Sequence, residues 1–227
     1  AVLRLPPRES ENTTLTFATG FTNSGTIELT NTTTIANNAT LAITAGSLIN
    51  AAGATIRAIA GTGGGSRFFN GTLENEGTLD VQTSLRLTGD LTHSDGAVIQ
   101  GGGMLTLTGA TISGFEGDVN PGTSPGLLTI VGDLPQGAAS HINIEVDGTT
   151  PGTEYDRLDI SGAAAFGGVL NIVTSISPVL GDTFTVVGFS SRTGGFSGLS
   201  GLDLGGGLQY DMVWTDTSLA LDRKSVV

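Results

Sequence analysis

The chain has 227 residues, 36 of them glycine, with 5% aromatic and 13% charged residues, no cysteine and a formal charge of −12. Scarce large side chains argue against a compact two-layer core, and the missing thiols exclude disulfides and cysteine-held zinc. The arginines and the single Lys224 are scattered, so no basic cluster exists to displace counterions from nucleic acid or to bind an anionic membrane surface.

Residues 1–11 differ in composition from the rest of the chain. Pro6 and Pro7 forbid a helix and break strand pairing. The segment reads as a frayed tail or as an arm that adds a strand to a neighbouring subunit, with Val2, Leu3 and Leu5 as anchors. At the other end, Val226 and Val227 are candidates for the same inter-subunit role. The chain starts at Ala1 rather than Met, as a processed or trimmed chain would.

From residue 12 a short phrase recurs: Asn, small or polar residues, Gly, then alternating apolar positions. It runs Asn23-Ser24-Gly25-Thr26-Ile27-Glu28-Leu29, Asn50-Ala51-Ala52-Gly53-Ala54-Thr55-Ile56 and Asn75-Glu76-Gly77-Thr78-Leu79-Asp80-Val81, with a looser copy at Ser94-Asp95-Gly96-Ala97-Val98-Ile99. The glycines lie 28, 24 and 19 positions apart, the uneven spacing that coils with variable loops show. Each phrase predicts a turn and a short strand, such as Thr26–Leu29 or Thr78–Val81, with apolar residues inward and polar ones outward. One coil cannot bury its inner face alone, so stacking is required, and the asparagines are placed to hydrogen-bond from coil to coil. A sandwich of antiparallel hairpins uses similar strands and turns. Recurrence of the whole phrase favours an all-β fold, a parallel β-helix (β-solenoid), over residues 12–119. Gly61-Thr62-Gly63-Gly64-Gly65-Ser66 reads as a flexible loop, because it lacks the Lys and following helix of a phosphate loop. No run of 18 apolar residues is present, so no helical membrane span is expected.

Residues 120–227 read as a β-rich C-terminal part that continues and closes the solenoid. Strand-like runs are His141–Asp147, Arg157–Ser161, Val169–Val173, Phe184–Val187, Tyr210–Trp214 and Ser218–Asp222. Aromatic residues concentrate here, which implies a wider core at the closing end.

The stretch Asn120-Pro121-Gly122-Thr123-Ser124-Pro125-Gly126-Leu127-Leu128-Thr129-Ile130 resembles the Pro-Gly-x-Ser-Pro-Gly-x-Leu-x-Ile signature of large bacterial surface proteins. It is similar to the C-terminal part of autotransporter-type β-helix passengers. Tyr155-Asp156-Arg157-Leu158-Asp159-Ile160 and Gly181-Asp182-Thr183-Phe184 extend the likeness, which covers 120–222 by motif and 12–115 by style. The resemblance implies an extracellular location and a structural, adhesive or self-associating role, with no chemistry. No outer-membrane barrel sequence follows, which favours a released or polymerising subunit.

Enzymatic β-helices cluster carboxylates on one strand face, and the nearest approach here is Glu154, Asp156, Arg157 and Asp159. Alternation puts Asp156 and Arg157 on opposite faces and Arg157 with Asp159 on one, so an ion pair or solvated edge is the simpler reading. Asp147, Glu154 and Asp156 around the Gly148–Gly152 turn are calcium candidates, because hard oxygen ligands on a glycine loop suit that ion. No other cofactor or metal is expected. His93 and His141 read as ordinary surface or turn residues. Four Asn-x-Thr sequons, at Asn12, Asn31, Asn38 and Asn70, are sites for glycosylation if the exporting cell modifies them. The leading expectation is a secreted, non-catalytic subunit of a fibre, sheath or surface layer, self-assembling head to tail. A surface adhesin for glycans is the alternative, and a polysaccharide-degrading enzyme the third.

Overall fold

The computed structural model describes residues 1–5, 11–123 and 125–225, all as strands, turns and loops. It is an all-β parallel solenoid whose coils each lay strands on three faces.

The first face carries β1 (Val2–Leu5), β4 (Thr26–Leu29), β6 (Thr55–Ala58), β8 (Thr78–Val81), β10 (Val98–Gly101), β13 (Asp118–Pro121), β16 (His141–Val146), β19 (Val169–Thr174) and β22 (Gly198–Ser200). The second carries β2 (Thr13–Phe17), β5 (Ala39–Asn50), β7 (Arg67–Asn75), β9 (Leu85–His93), β11 (Met104–Thr106), β14 (Leu127–Val131), β17 (Arg157–Ile160) and β20 (Thr183–Gly188). On the third lie β3 (Phe21–Asn23), the later halves of β5, β7 and β9, then β12 (Ala110–Phe115), β15 (Leu134–Pro135), β18 (Ala163–Phe166) and β21 (Ser191–Gly194).

Register explains why these short strands are stable. On the first face Leu3, Ile27, Ile56, Leu79, Ile99, Val119, Ile142, Leu170 and Leu199 are successive Cα partners, 20 to 29 residues apart in the chain. Everything from Ile27 to Leu170 in this column is at most 1% exposed. Burying each such side chain stabilises by roughly 1.5–3 kcal/mol, and only stacking buries it. Loop length varies freely because the alignment is made by strands.

The bend between second and third faces falls inside β7 and β9, at Gly71 (φ 136°) and Gly89 (φ 110°). A Cβ on Gly89 would lie 2.4 Å from the Gly71 carbonyl oxygen of the coil below. Both conformation and crowding therefore demand glycine. The Gly61–Ser66 loop is packed rather than free. Gly61, Gly63 and Gly65 lie directly against the backbone of Asn31, Ile35 and Asn37, and the fully buried Arg67 donates to the carbonyls of Ile59, Gly64 and Gly65. Burial lowers the pKa of that guanidinium.

Stacking crosses residue 120 without a break, since β13 pairs with β10 on one side and β16 on the other. Parallel order ends only after β22. There β23 (Asp203–Gly205), β24 (Leu208–Trp214) and β25 (Ser218–Ser225) add to β20 as an antiparallel hairpin series. Tyr210 reaches Phe184 (5.8 Å between rings), and Trp214 meets Phe166, Phe189 and Phe196 at 5.5, 6.0 and 5.9 Å. The antiparallel series covers the outer edge of β20, and its Trp214 packs on the aromatic rings that follow the second and third faces.

The N-terminal segment differs from the expected tail or arm. Val2–Leu5 is the first strand of the solenoid itself, paired in parallel with Thr26–Leu29, and Leu5 is buried in the core. The alternation of Leu3 and Leu5 matches that of Ile27 and Leu29, so the strand fits its own chain's first face. Pro6 and Pro7 lie outside the described residues, as do Val226 and Val227.

Candidate functional site

Two polar features arise from the stacking, one inside and one outside. The inner one occupies the corner that leads from the third face back to the first. Asn23 donates through Nδ2 to Asn50 Oδ1 (2.8 Å), Asn50 donates to Asn75 Oδ1 (2.7 Å), and Asn75 Nδ2 contacts His93 Nδ1 (3.1 Å). All four are buried, so each amide relies on its neighbour. The expected asparagine ladder is thus present. His93, expected as an ordinary surface or turn residue, is its buried last member. Its Nδ1 must accept from Asn75, which leaves Nε2–H to donate to the Asp118 carbonyl at 3.2 Å. Burial holds its pKa down to about 4, against smaller opposing effects of the Asp118 carbonyl and charge. The signal was in the phrase: His93 stands where Asn23, Asn50 and Asn75 stand, ahead of Gly96 as they are ahead of Gly25, Gly53 and Gly77.

The outer feature runs along the first face. Arg4, Glu28, Arg57, Asp80, Gln100, Asn120, Asn143, Asn171 and Ser200 are successive partners in register. Arg4 pairs with Glu28 (2.5 Å) and Arg57 with Asp80 (2.7 Å). Beyond them the column becomes amides: Asn143 donates to Asn120 (2.6 Å), Asn171 to Asn143 (2.9 Å), and Ser200 to Asn171 (2.6 Å). A hollow of about 490 Å³ lies over this column, lined by Gln100, Asn120, Thr123, Asn143, Glu145 and Asp156 among others. A second of about 310 Å³, lined by Arg57, Ile59, Asp80 and Gln82, shares Gln100 and Thr123 with it. Together they form one polar cleft.

The carboxylates singled out from sequence do not converge. Asp156 is 2% exposed and its two oxygens accept from the backbone amides of Gly126 (2.7 Å) and Glu145 (2.9 Å). It fastens the Pro121–Gly126 turn to β16, a role thirty residues away in sequence and one coil away in space. Burial pushes its pKa up to about 6, with the two amides pulling the other way. Arg157 and Asp159 do share the outer face, paired at 2.8 Å. Glu154 is exposed and accepts from Thr149 and Thr150 within its own turn, which lowers its pKa. Asp147 accepts from the Ser175 hydroxyl. The calcium candidates Asp147, Glu154 and Asp156 are therefore each turned to a different partner. Among the described residues no group of three His, Cys, Asp or Glu side chains is arranged to hold a metal, and no helix is long and apolar enough to cross a membrane.

Of the histidines, His141 does sit near the surface, with Nδ1 2.8 Å from Asp118 Oδ1. The sequon residue Asn31 is 1% exposed, with Nδ2 donating to the carbonyls of Ile35 and Gly64, which closes it to modification in the folded chain. Asn12 and Asn38 cap backbone amides of the next coil. Compared with known proteins, the chain matches no family model and no curated protein.

Proposed function

We propose that the chain is a non-catalytic structural subunit of the bacterial exterior, assembling end to end into a fibre, sheath or surface layer. The observation that carries this reading is the first face, which is unpartnered at both ends among the described residues. Its apolar column begins at the half-buried Leu3 and ends at Leu199, which is 44% exposed, and Val2 beside Leu3 is 62% exposed. A second copy with its β1 laid on β22 continues the column, Leu3 against Leu199, and satisfies two rows of unpaired backbone groups. Such a contact is heterologous and does not close, so it propagates as a filament. β22 is the last strand of its sheet, and the antiparallel series pairs on β20 rather than on it. The likeness of residues 120–222 to bacterial surface passengers supports the structural and extracellular parts of the reading.

Electron microscopy over a concentration series tests this. Filaments or end-joined rods are expected for the native chain, and single rods for Leu199→Asp, whose site is exposed and whose fold should persist. Single rods of the native chain at every concentration, or filaments unchanged by both Leu199→Asp and Val2→Asp, contradict it.

A further inference from the structure

The cleft on the first face has a chemistry that the end-to-end role does not use. We infer that it is a binding site for an extended, uncharged, hydroxyl-rich polysaccharide chain lying parallel to the solenoid axis.

Shape comes first. The two hollows share Gln100 and Thr123, so the cleft runs from Arg57 on β6 to Asn143 on β16. That is four inter-strand steps, or about 19 Å at about 4.8 Å each. This is a trough for a linear polymer rather than a pocket for a small compact molecule. The exposed Thr123, next to the buried Gly122, forms its lip. On either side of Thr123, Asp156 anchors Gly126, and the backbones of Gly101 and Gly122 exchange hydrogen bonds at 2.8 and 3.1 Å.

Donors and acceptors come next. Asn143 uses one amide hydrogen on Asn120 and accepts one from Asn171, which leaves a second hydrogen and a lone pair for an outside partner. The Gln100 amide has no partner among the described residues, and Asn120 engages only its oxygen. Stacking thus repeats a donor beside an acceptor along the floor, the pattern that hydroxyls on successive sugar units answer. The Asn120 and Asn143 amides are fixed in place by the ladder, so little of the ordering cost of binding falls on them.

Exclusion narrows the class. Asp80, Glu145 and Asp156 line the cleft, and its one cation, Arg57, is already paired with Asp80. An anionic chain such as a polyuronate, a sulfated glycan or a nucleic acid meets like charge. No aromatic side chain lines either hollow, so an aromatic ligand has no ring to stack on. An extended peptide would seek a free sheet edge for main-chain pairing, whereas the floor here offers side chains of already paired strands. Without aromatic stacking the expected affinity is weak, with Kd on the order of 10⁻⁴ M per site.

Titration calorimetry of the full chain with cellohexaose, mannohexaose, maltohexaose, hexagalacturonate and a Gly-Ser hexapeptide tests the inference. Saturable binding of at least one neutral hexasaccharide is expected, weakened at least tenfold by Gln100→Ala and by Thr123→Trp. Neither side chain carries a ladder bond, and an unchanged melting temperature verifies their folding. Arg192→Ala, beside Trp214 at the closing end, should leave binding intact. No neutral hexasaccharide saturating at millimolar concentration, binding indifferent to both cleft variants, or preference for hexagalacturonate or the peptide overturns it. Filament formation is read separately, so failure here leaves the structural proposal standing.

Discussion

The coils up to Phe115 and those after it stack in the same register on the first face, yet they fill the rest of the cross-section differently. In the earlier coils the inner corner is a wire of amides, Asn23 to Asn50 to Asn75 to His93. At Phe115, which packs edge-on to His93 at 4.8 Å, the polar wire ends. Later coils use aromatics instead, from Tyr155 and Phe184 to the plug around Trp214. Hydrogen bonds between identical side chains repeat indefinitely and suit a shaft. Interlocking rings of different size do not repeat, and they suit an end.

The plug gives the largest test of this contrast. Phe184 is 1% exposed and touches both Tyr155 and Tyr210. Truncation to Ala should cost about 3–5 kcal/mol in denaturant unfolding, with hydrogen exchange rising first in β20, β24 and β25. Exchange rising first near Asn50 instead would show that the plug does not hold the closing end.

Protonation separates the two regions next. His93 in the wire is held down to about 4 from 6.5, so the stability it contributes is present above pH 6.5 and lost as pH falls towards 4. Asp156 in the later coils is pushed up to about 6 from 3.8, so its contribution is present below pH 3.8 and lost as pH rises through 6. Each is worth about 3 kcal/mol across its window, with opposite sign. The native chain should therefore vary little from these two groups between pH 4 and 6.5. His93→Asn should make stability fall as pH rises through that window, and Asp156→Asn should make it rise. Identical profiles for both variants would refute the assignment.

A smaller effect distinguishes the two amide columns. Asn50→Ala strands buried amides on Asn23 and Asn75 and should cost roughly 2–3 kcal/mol. Asn143→Ala, on the half-exposed outer column, frees Asn120 and Asn171 to water and should cost under about 1 kcal/mol. Equal losses would mean that burial does not set the value of the ladder.

Much of the architecture was legible because stacking leaves a repeated phrase. Thr26, Thr55, Thr78 and Val98, aligned by that phrase, are partners in register. The strand runs from His141 onward fall on β16, β17, β19, β20, β24 and β25. What was not legible depends on which residues lie one coil apart when coil length varies. Nothing local ties Asp156 to Gly126, thirty residues earlier. Val2–Leu5 lacks the Asn and Gly of the phrase, so its place as the first strand showed only in the alternation of Leu3 and Leu5. The cleft was hidden for the same reason: Arg57, Gln100 and Asn143 are dispersed in sequence and become one column only through register.

Ladder, plug and cleft all depend on parallel coils in that register, and the absence of native cysteine makes disulfide trapping a clean probe. Thr55 and Thr78 are direct partners, whereas Arg57 is aligned with Asp80 and so is offset from Thr78 by two residues. Aligned Cα atoms stand about 4.8 Å apart, within disulfide range, and the offset pair about 8 Å apart, beyond it. Mild oxidation should close Thr55→Cys/Thr78→Cys rapidly and leave Arg57→Cys/Thr78→Cys reduced. An aligned pair that stays reduced, or an offset pair that closes as fast, would contradict the stacked parallel solenoid.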